Sequence, residues 1–185
     1  MKDKILFFST FLRHPKEIGS IIPSSKFLIN EVLKNIDFEN SAYIVEYGSG
    51  TGHITTEILK RARKDAKLLC FETNKTLCTY LGKIIKDKRA IVINDTAENI
   101  AKYLKKYGIN EVDCIVAVLS FSTLGKIKKN DILKETKKAL RLKGKFVFCR
   151  YIPHFERHLS NYFSKSYVNF VFLNIPPSLV YTCEK

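Results

Sequence analysis

Three glycines lie in the stretch YIVEYGSGTGHIT, and each is separated from the next by one small polar residue: Gly48, Gly50 and Gly52. The apolar run before them predicts a buried strand, and the periodic apolar residues after them predict a helix. Glycines at such a turn let the backbone approach a ligand, and the helix start offers free N–H groups. The spacing G-x-G-x-G, with Glu46 two positions before it, differs from the dinucleotide fingerprint G-x-G-x-x-G. The pattern predicts a ligand with an amino acid portion and no pyrophosphate.

Two more acidic residues stand where later strands are predicted to end. Glu72 follows the apolar run KLLCF, and Asp95 follows AIVIN. The carboxyl ends of parallel strands meet at one edge of a sheet, where ligands of open α/β folds bind. Either residue alone is equally well explained as a helix cap or a loop carboxylate. Together with Glu46, they favour one common ligand.

Strand-like and helix-like segments alternate through the middle of the chain, which predicts a parallel sheet covered on both faces. Strands are expected at 42–47, 67–72, 90–95, 112–119 and 145–150, and helices at 52–64, 75–86, 97–106 and 127–141. Only NIPPS separates the last two strand-like segments, a connection that permits an antiparallel hairpin and excludes a crossover helix. These segments are 167–173 and 178–184. Further helices are predicted at 2–13, 25–36 and 155–164.

Composition predicts one globular domain spanning 1–185. The 32 basic residues exceed the 18 acidic ones, giving a net charge of +14. Such a charge attracts nucleic acid or an anionic membrane, although a solvated lysine-rich surface is the alternative.

No apolar run reaches the roughly 18 residues of a membrane span, so a cytoplasmic protein is expected. The five cysteines form no C-x-x-C pair, and those in apolar runs are expected to be buried thiols; no metal site is predicted.

The stretch VEYGSGTG resembles the first motif of class I S-adenosylmethionine (SAM)-dependent methyltransferases, and the order of elements along 42–185 is similar to their fold. The resemblance implies a Rossmann-like α/β fold with a mostly parallel seven-stranded sheet ending in an antiparallel hairpin, preceded by N-terminal helices. It also implies SAM as cofactor, with Glu72 on the ribose hydroxyls and Asp95 beside the adenine. The residues expected to bind the cofactor are Glu46, Tyr47, Gly48, Ser49, Gly50, Gly52, Glu72, Thr73, Asp95, Thr96, Ala97, Val118 and Leu119.

The methyl acceptor is predicted from the segment after the fourth strand. Related enzymes that methylate an exocyclic adenine nitrogen carry Asn or Asp, an apolar residue, Pro and an aromatic residue there. This chain has VLSF, from Val118 to Phe121, which keeps the aromatic residue and lacks the amide or carboxylate. This difference argues against a base methylase, despite the positive charge.

A second resemblance points to a lipid acceptor. The segments FLRHPKEIGSIIPSSKFL (11–28) and NIPPSLVYTCEK (174–185) are similar to bacterial phospholipid N-methyltransferases, which convert phosphatidylethanolamine to phosphatidylcholine. Segment 2–13 combines apolar residues with basic flanks, as in helices that lie at an anionic membrane surface. The first 36 residues are therefore predicted to form a helical lid or membrane segment on a protein peripheral to the inner membrane face. Packing of that helix on the protein's own core is the alternative.

Tyr151 and Phe121 are the predicted catalytic residues. The Tyr151 phenol, at the end of the fifth strand, is the candidate contact of the acceptor amine, unless its ring packs on the last helix. The rings of Tyr151, Tyr47 and Phe121 are expected to hold a methylated ammonium by cation–π attraction. Several lysines are candidates for phosphate contacts or for a solvated face: 102, 105, 106, 126, 128 and 129. An RNA methyltransferase, a methyltransferase of a small amine and a non-catalytic SAM-binding module remain alternatives.

Overall fold

The computed structural model of the chain describes residues 25–119, 121, 124–151 and 156–185. The predicted helix at 2–13 and Ser120 of the VLSF segment lie outside these residues. The described helices are α1 (Lys26–Leu33), α2 (His53–Arg61), α3 (Lys75–Ile84), α4 (Ile100–Lys106), α5 (Lys126–Ala139) and α6 (Glu156–Leu159), with a 3₁₀ turn at Ala97–Asn99. The strands are β1 (Tyr43–Tyr47), β2 (Lys67–Phe71), β3 (Ala90–Ile93), β4 (Val112–Ala117), β5 (Leu140–Arg150), β6 (Lys165–Val171) and β7 (Ser178–Glu184).

The seven strands form one sheet in the order β3-β2-β1-β4-β5-β7-β6. Strands β1 to β5 are parallel, and β7 runs antiparallel to both of its neighbours, β5 and β6. The predicted fold class, a mostly parallel seven-stranded sheet with a closing antiparallel pair, is confirmed. Strand β7, the second strand of the hairpin, pairs with β5 of the parallel part. Among the described strands, β6 therefore pairs only with β7.

Alternating side chains along the strands build a separate core on each face of the sheet. Tyr47, Phe71 and Phe148 point to the face that is covered by α4, α5 and α6. Ile44, Leu68 and other residues of the opposite parity point to the face covered by α1, α2 and α3. The fully apolar runs predicted for these strands follow from this two-sided burial.

The helix predicted at 127–141 ends earlier, at Ala139, and β5 begins at Leu140. The register between β4 and β5 shifts after the pair Val112 and Leu140, so the residues that follow form a bulge. A Cβ at Gly144 would lie 2.8 Å from the carbonyl oxygen of Arg141, which leaves room only for glycine. Gly144 therefore belongs to this bulge inside β5, five residues after the end of the helix.

Other element boundaries also differ from the predictions. Strands β3 and β4 end at Ile93 and Ala117, so that Asp95 and Leu119 lie in loops beyond the sheet. The helix predicted at 97–106 begins as a 3₁₀ turn, and the described part of the helix predicted at 155–164 is only α6. The shorter strands place the loop residues at the edge of the sheet where a ligand would bind.

All five cysteines are free, and Cys70, Cys114 and Cys183 are buried. Burial raises the pKa of the Cys114 thiol to about 12, so this group stays protonated.

Within the part of the chain that the structure describes, none of the helices is both long enough and apolar enough to cross a bilayer.

Candidate functional site

The carboxyl ends of the parallel strands form one row across the sheet. Tyr47, the last residue of β1, pairs with Phe71 of β2 and Ala117 of β4, and Phe71 pairs with Ile93 of β3. The next residue of each strand therefore lies on a common edge. These residues are Gly48, Glu72, Val118 and Asn94. The structure thus brings the predicted cofactor residues from separate parts of the sequence to the same edge.

The glycine turn is fixed to the neighbouring strand by backbone hydrogen bonds. The N–H groups of Gly48 and Ser49 both donate to the carbonyl oxygen of Phe71, at 2.8 and 3.1 Å. The N–H of Gly52 donates to the carbonyl oxygen of Ser49 at 2.8 Å, which closes the turn at the start of α2. These hydrogen bonds fix the turn to the end of β2 and to the start of α2.

Each glycine of the motif has a positive φ: 75° at Gly48, 53° at Gly50 and 80° at Gly52. A Cβ at Gly52 would lie 2.6 Å from a terminal carbon of the buried Leu81 side chain, so a larger residue there would displace Leu81. A Cβ at Gly50 would instead meet open space, with the nearest protein atom 4.0 Å away. The turn therefore has an open cradle at Gly50, which a side chain would fill.

Glu72 lies against this cradle and is largely buried. One of its carboxylate oxygens accepts a hydrogen bond from the N–H of Gly50 at 2.8 Å, and the other accepts from the N–H of Asn74 at 2.8 Å. Burial raises the pKa of Glu72, while the N–H groups of Asn74 and Gly50 act in the opposite direction. The side chain is therefore a hydrogen-bond acceptor beside the open face of the turn.

Glu46 lies beneath the turn and is only 1% exposed. The same carboxylate oxygen accepts hydrogen bonds from the hydroxyls of Ser49, at 3.0 Å, and Thr55, at 2.6 Å. Burial raises the pKa of Glu46 to about 7, although both hydroxyls lower it. Glu46 thus joins β1, the glycine turn and α2, and the structure shows it supporting the turn from the interior.

Asp95 organises the loop after β3. One carboxylate oxygen accepts from the Asn99 amide at 2.8 Å, and the other accepts from the Tyr103 hydroxyl at 2.8 Å. The hydrogen bond from the Asn99 side chain is the chief reason that the pKa of Asp95 is lowered to about 2. Asp95 therefore carries a negative charge at the edge and holds the following 3₁₀ turn, where Ala97 is buried.

The predicted aromatic box of Tyr47, Phe121 and Tyr151 is not formed by exposed rings. Tyr47 is fully buried, with its ring 5.7 Å from that of Phe71, and Phe121 is 1% exposed. Phe121 packs on Phe148 with ring centroids 5.2 Å apart. The expectation that Tyr47 and Phe121 present ring faces to an ammonium is therefore not met in the structure, because packing against Phe71 and Phe148 buries both rings.

Tyr151 differs from the other two rings because it follows β5 and is 41% exposed. Val118 and Leu119 lie beside the glycine turn: the Val118 N–H donates to the carbonyl oxygen of Tyr47 at 3.0 Å, and Leu119 is the closest neighbour of a Cβ built on Gly48. The cradle thus lies at the end of β1 and the exposed Tyr151 phenol at the end of β5, on the same edge of the sheet.

Three residues at the site were not predicted from the sequence. Thr55 supports Glu46, Asn74 caps α3 and donates its N–H to Glu72, and the Asn94 amide donates to the carbonyl oxygens of Glu72 and Thr73 at 2.8 and 3.1 Å. An Asn two residues after a strand-end acid is a signal for a helix cap, which could have identified Asn74. Among the described residues, no group of three or more His, Cys, Asp and Glu could hold a metal ion.

Comparison with known proteins shows what kind of protein this chain resembles. The model of the family "Ribosomal RNA adenine dimethylase" matches residues 13–103. A relative along the whole chain is the ornithine lipid N-methyltransferase of Singulisphaera acidiphila, which is 29% identical over 100% of this chain and 97% of its own length. The ribosomal RNA small subunit methyltransferase A of Mesomycoplasma hyopneumoniae is 29% identical over 60% of this chain and 40% of its own length.

The chain is a class I SAM-dependent methyltransferase. The predictions of a SAM-dependent N-methyltransferase and of SAM as its cofactor are confirmed. A solved structure of a protein from Streptococcus mutans, described as a methyltransferase in complex with SAH, has the same fold. It superposes with a TM-score of 0.62 and is 15% identical over 85% of this chain and 95% of its own length.

The residues of the methyltransferase fit this cofactor. The open side of Gly50 leaves space that a Cβ would fill, and the acceptor carboxylate of Glu72 lies directly beside it. Carboxylates suit hydroxyl donors such as those of a ribose. The turn after β1, Glu72 and the loop of Asp95 would therefore hold the cofactor along the carboxyl edge.

Proposed function

We propose that this methyltransferase transfers methyl groups to the amine of a membrane-lipid headgroup, namely phosphatidylethanolamine or its methylated forms. The observation that carries the proposal is the similarity to an ornithine lipid N-methyltransferase across both chains almost completely. Ornithine lipid and phosphatidylethanolamine both present an amine on a lipid anchor. The resemblance of segments 11–28 and 174–185 to phospholipid N-methyltransferases favours phosphatidylethanolamine.

The extent of the RNA-related similarity also supports a lipid acceptor. The family match ends at residue 103, before β4 begins at Val112. It therefore includes the glycine turn, Glu72 and Asp95, which are the predicted cofactor residues, and omits the loop after β4 and the end of β5. The omitted half contains Tyr151, the exposed residue that is predicted to contact the acceptor amine. Similarity to the lipid N-methyltransferase extends through both halves.

The residues of the chain have separate tasks in such a reaction. SAM supplies a sulfonium methyl that is already activated, so the protein mainly has to position the acceptor in line with it. The Gly50 cradle and Glu72 hold the cofactor side, and the exposed Tyr151 phenol accepts a hydrogen bond from the amine. An amine attacks only when it is neutral, so its proton must first leave to water. The hydrogen bond to the phenol then holds the amine with its lone pair directed at the methyl group.

Ribosomal RNA is the second candidate acceptor, and the family match over 13–103 and the net charge of +14 favour it. The segment Val118–Phe121 argues against it, because it has no amide or carboxylate side chain to accept hydrogen bonds from an adenine amine. For the lipid substrate we further propose that segment 2–13 binds an anionic membrane surface. Its apolar residues and basic flanks in the sequence support that role.

The deciding experiment offers the purified chain SAM with a labelled methyl group and three acceptors in parallel. These are vesicles containing phosphatidylethanolamine, vesicles containing ornithine lipid, and total RNA. We expect label in the phosphatidylethanolamine vesicles, and much less label with Glu72→Ala at subsaturating SAM, because this variant lacks the cofactor contact. Label confined to ornithine lipid would move the acceptor to that lipid, and label in RNA without label in either lipid would refute the proposal.

Binding at two salt concentrations separates the two partners further. RNA association rests on phosphate neutralisation and falls steeply with salt. Membrane association has an apolar part that salt does not screen. We expect moderate salt to release RNA and to leave appreciable binding to anionic vesicles. Loss of both would contradict an apolar membrane contact.

A further inference from the structure

A group of large apolar side chains is exposed at the turn between β6 and β7 and at the start of α1. Each of them is between 57% and 74% exposed, although the core of the domain is well packed. We call this group the apolar tip; its members are Phe27, Phe170, Phe172, Leu173 and Ile175. Exposed apolar groups of this kind mark interaction surfaces in soluble domains.

Two rings of the tip lie close together, and a hydrogen bond connects the two segments that carry the tip. The rings of Phe170 and Phe172 have centroids 6.3 Å apart. Asn174 accepts a hydrogen bond from the N–H of Ser25 at 3.0 Å, which brings the start of α1 to the β6–β7 turn. The Asn174 amide also donates to the Pro176 carbonyl at 2.8 Å and to the Ser178 hydroxyl at 2.9 Å. The tip is therefore a built surface that projects from the domain.

The tip lies at the same edge of the sheet as the cofactor site. Leu179, at the start of β7, pairs with Arg150 at the end of β5, and it also pairs with Phe170 near the end of β6. The β6–β7 turn is thus on the side where the parallel strands end. Tyr151, the predicted contact of the acceptor amine, directly follows Arg150. A surface that covered the tip would face the site.

Basic residues accompany the tip along this edge. Lys26 is exposed beside Phe27. His158 lies close to three cations: after burial, which lowers the pKa of His158 most, Lys129, Lys126 and Arg150 lower it further. Apolar side chains beside positive charge match the interface of an anionic bilayer, where rings enter the headgroup layer and cations meet lipid phosphates. Phe172 and Ile175 are 73% and 74% exposed, so they project, as insertion into a lipid layer requires.

We infer that the apolar tip inserts into the interfacial layer of an anionic membrane and thereby presents the carboxyl edge of the sheet, with Tyr151, to the lipid headgroups. This inference rests on the proposed lipid substrate and adds a second membrane contact, separate from segment 2–13. The tip sets the orientation of the domain on the membrane, because it lies at the same edge of the sheet as the cofactor site. The amine of a lipid headgroup then reaches the cofactor site while the rest of the lipid stays in the membrane.

The test uses the full chain and vesicles of phosphatidylethanolamine with anionic phosphatidylglycerol. Phe172→Ser with Ile175→Ser removes two exposed tip residues at little cost to the core. Leu142→Ser is the matched control, because Leu142 is 72% exposed and lies near the amino end of β5, at the opposite edge. Thermal unfolding verifies that both variants fold. Co-sedimentation should weaken about tenfold or more in the tip variant, since burial of one large apolar side chain contributes more than that factor. The control should bind like the parent chain.

A second readout separates the tip from the proposed substrate. Methyl transfer to phosphatidylethanolamine dispersed in detergent needs no membrane docking, so the tip variant should retain it while it loses transfer to vesicles. Unchanged vesicle binding in the tip variant would overturn the inference, as would an equal loss in the Leu142 control. A tip variant that changes the oligomeric state in sedimentation velocity and still binds vesicles would assign the tip to contact between copies. Tip-dependent binding without any lipid methylation would refute the proposed substrate alone.

Discussion

Glu72 and Gly50 are joined by a hydrogen bond of 2.8 Å, from the backbone N–H of the glycine to a carboxylate oxygen. The bond connects the end of β2 with the turn after β1 and leaves the open side of Gly50 unobstructed by protein atoms. The other oxygen of Glu72 accepts from Asn74 at the start of α3. One carboxylate thus orders two loops at the site and stands beside the space for the cofactor.

Removal of this carboxylate should weaken cofactor binding. In Glu72→Ala, the N–H groups of Gly50 and Asn74 lose their acceptor, and the predicted ribose contact is lost. Hydrogen bonds to a charged group contribute about 1.5–3 kcal/mol each. We therefore expect SAM affinity to fall by about tenfold to hundredfold in isothermal titration calorimetry. Glu57→Gln is the control: it breaks an exposed ion pair of α2 with Lys60 and should leave the affinity unchanged.

The glycines of the turn should separate binding from stability. Gly50→Ala places a methyl group in the cradle, so SAM affinity should fall strongly. The positive φ of 53° should destabilise the fold by only about 1–2 kcal/mol. Gly52→Ala should destabilise it more, because its Cβ would lie 2.6 Å from Leu81. Denaturant unfolding and calorimetry measure the two effects.

Gly82→Ala provides the matched control for these glycines. Gly82 lies in α3, and a Cβ there would meet no atom within 4 Å. Alanine favours a helix over glycine by about 1 kcal/mol, so this variant should be as stable as the parent chain or more stable. If Gly50→Ala bound SAM as tightly as Gly82→Ala, the cradle would not be the cofactor site.

Burial of Glu46 should make the stability depend on pH. Its pKa is raised from an ordinary 4.5 to about 7, so the folded state holds a proton that the unfolded state releases between these values. The contribution of Glu46 to stability is therefore complete below about pH 4.5 and decreases as pH rises to 7, by at most about 1.4 kcal/mol per pH unit. Glu46→Gln keeps an oxygen for Ser49 and Thr55 and should remove this decrease. Parallel stability curves for parent and variant from pH 5 to pH 8 in urea unfolding would contradict this assignment.

Tyr151→Phe should reduce methyl transfer without changing cofactor binding. The variant keeps the ring and loses the hydroxyl that is proposed to accept a hydrogen bond from the amine. A hydrogen bond of about 1–1.5 kcal/mol corresponds to about a tenfold loss of rate at saturating SAM. Tyr167→Phe, on the exposed strand β6, is the control and should transfer at the parent rate. Equal rates for the parent and Tyr151→Phe would remove Tyr151 from the acceptor site.

Local features of the chain already determined much of the fold and the cofactor edge. The G-x-G-x-G turn, the apolar runs and the acids at successive strand ends depend on residues close together in sequence. The parallel arrangement follows, because short alternating strands and helices can bury their apolar faces in few other ways. The sequence by itself therefore places Glu72 and Asp95 on one edge of the sheet.

Only the tertiary structure decided what each side chain faces. Tyr47 and Phe121 carry rings suited to an ammonium, but packing against Phe71 and Phe148 buries both. The hydrogen bond between Glu72 and the N–H of Gly50 joins residues 22 positions apart, so no local sequence pattern shows it. The apolar tip likewise arises where α1 meets the β6–β7 turn. Local sequence determines strand, turn and helix, whereas exposure depends on which distant elements pack together, and at this edge that packing leaves apolar side chains beside the site.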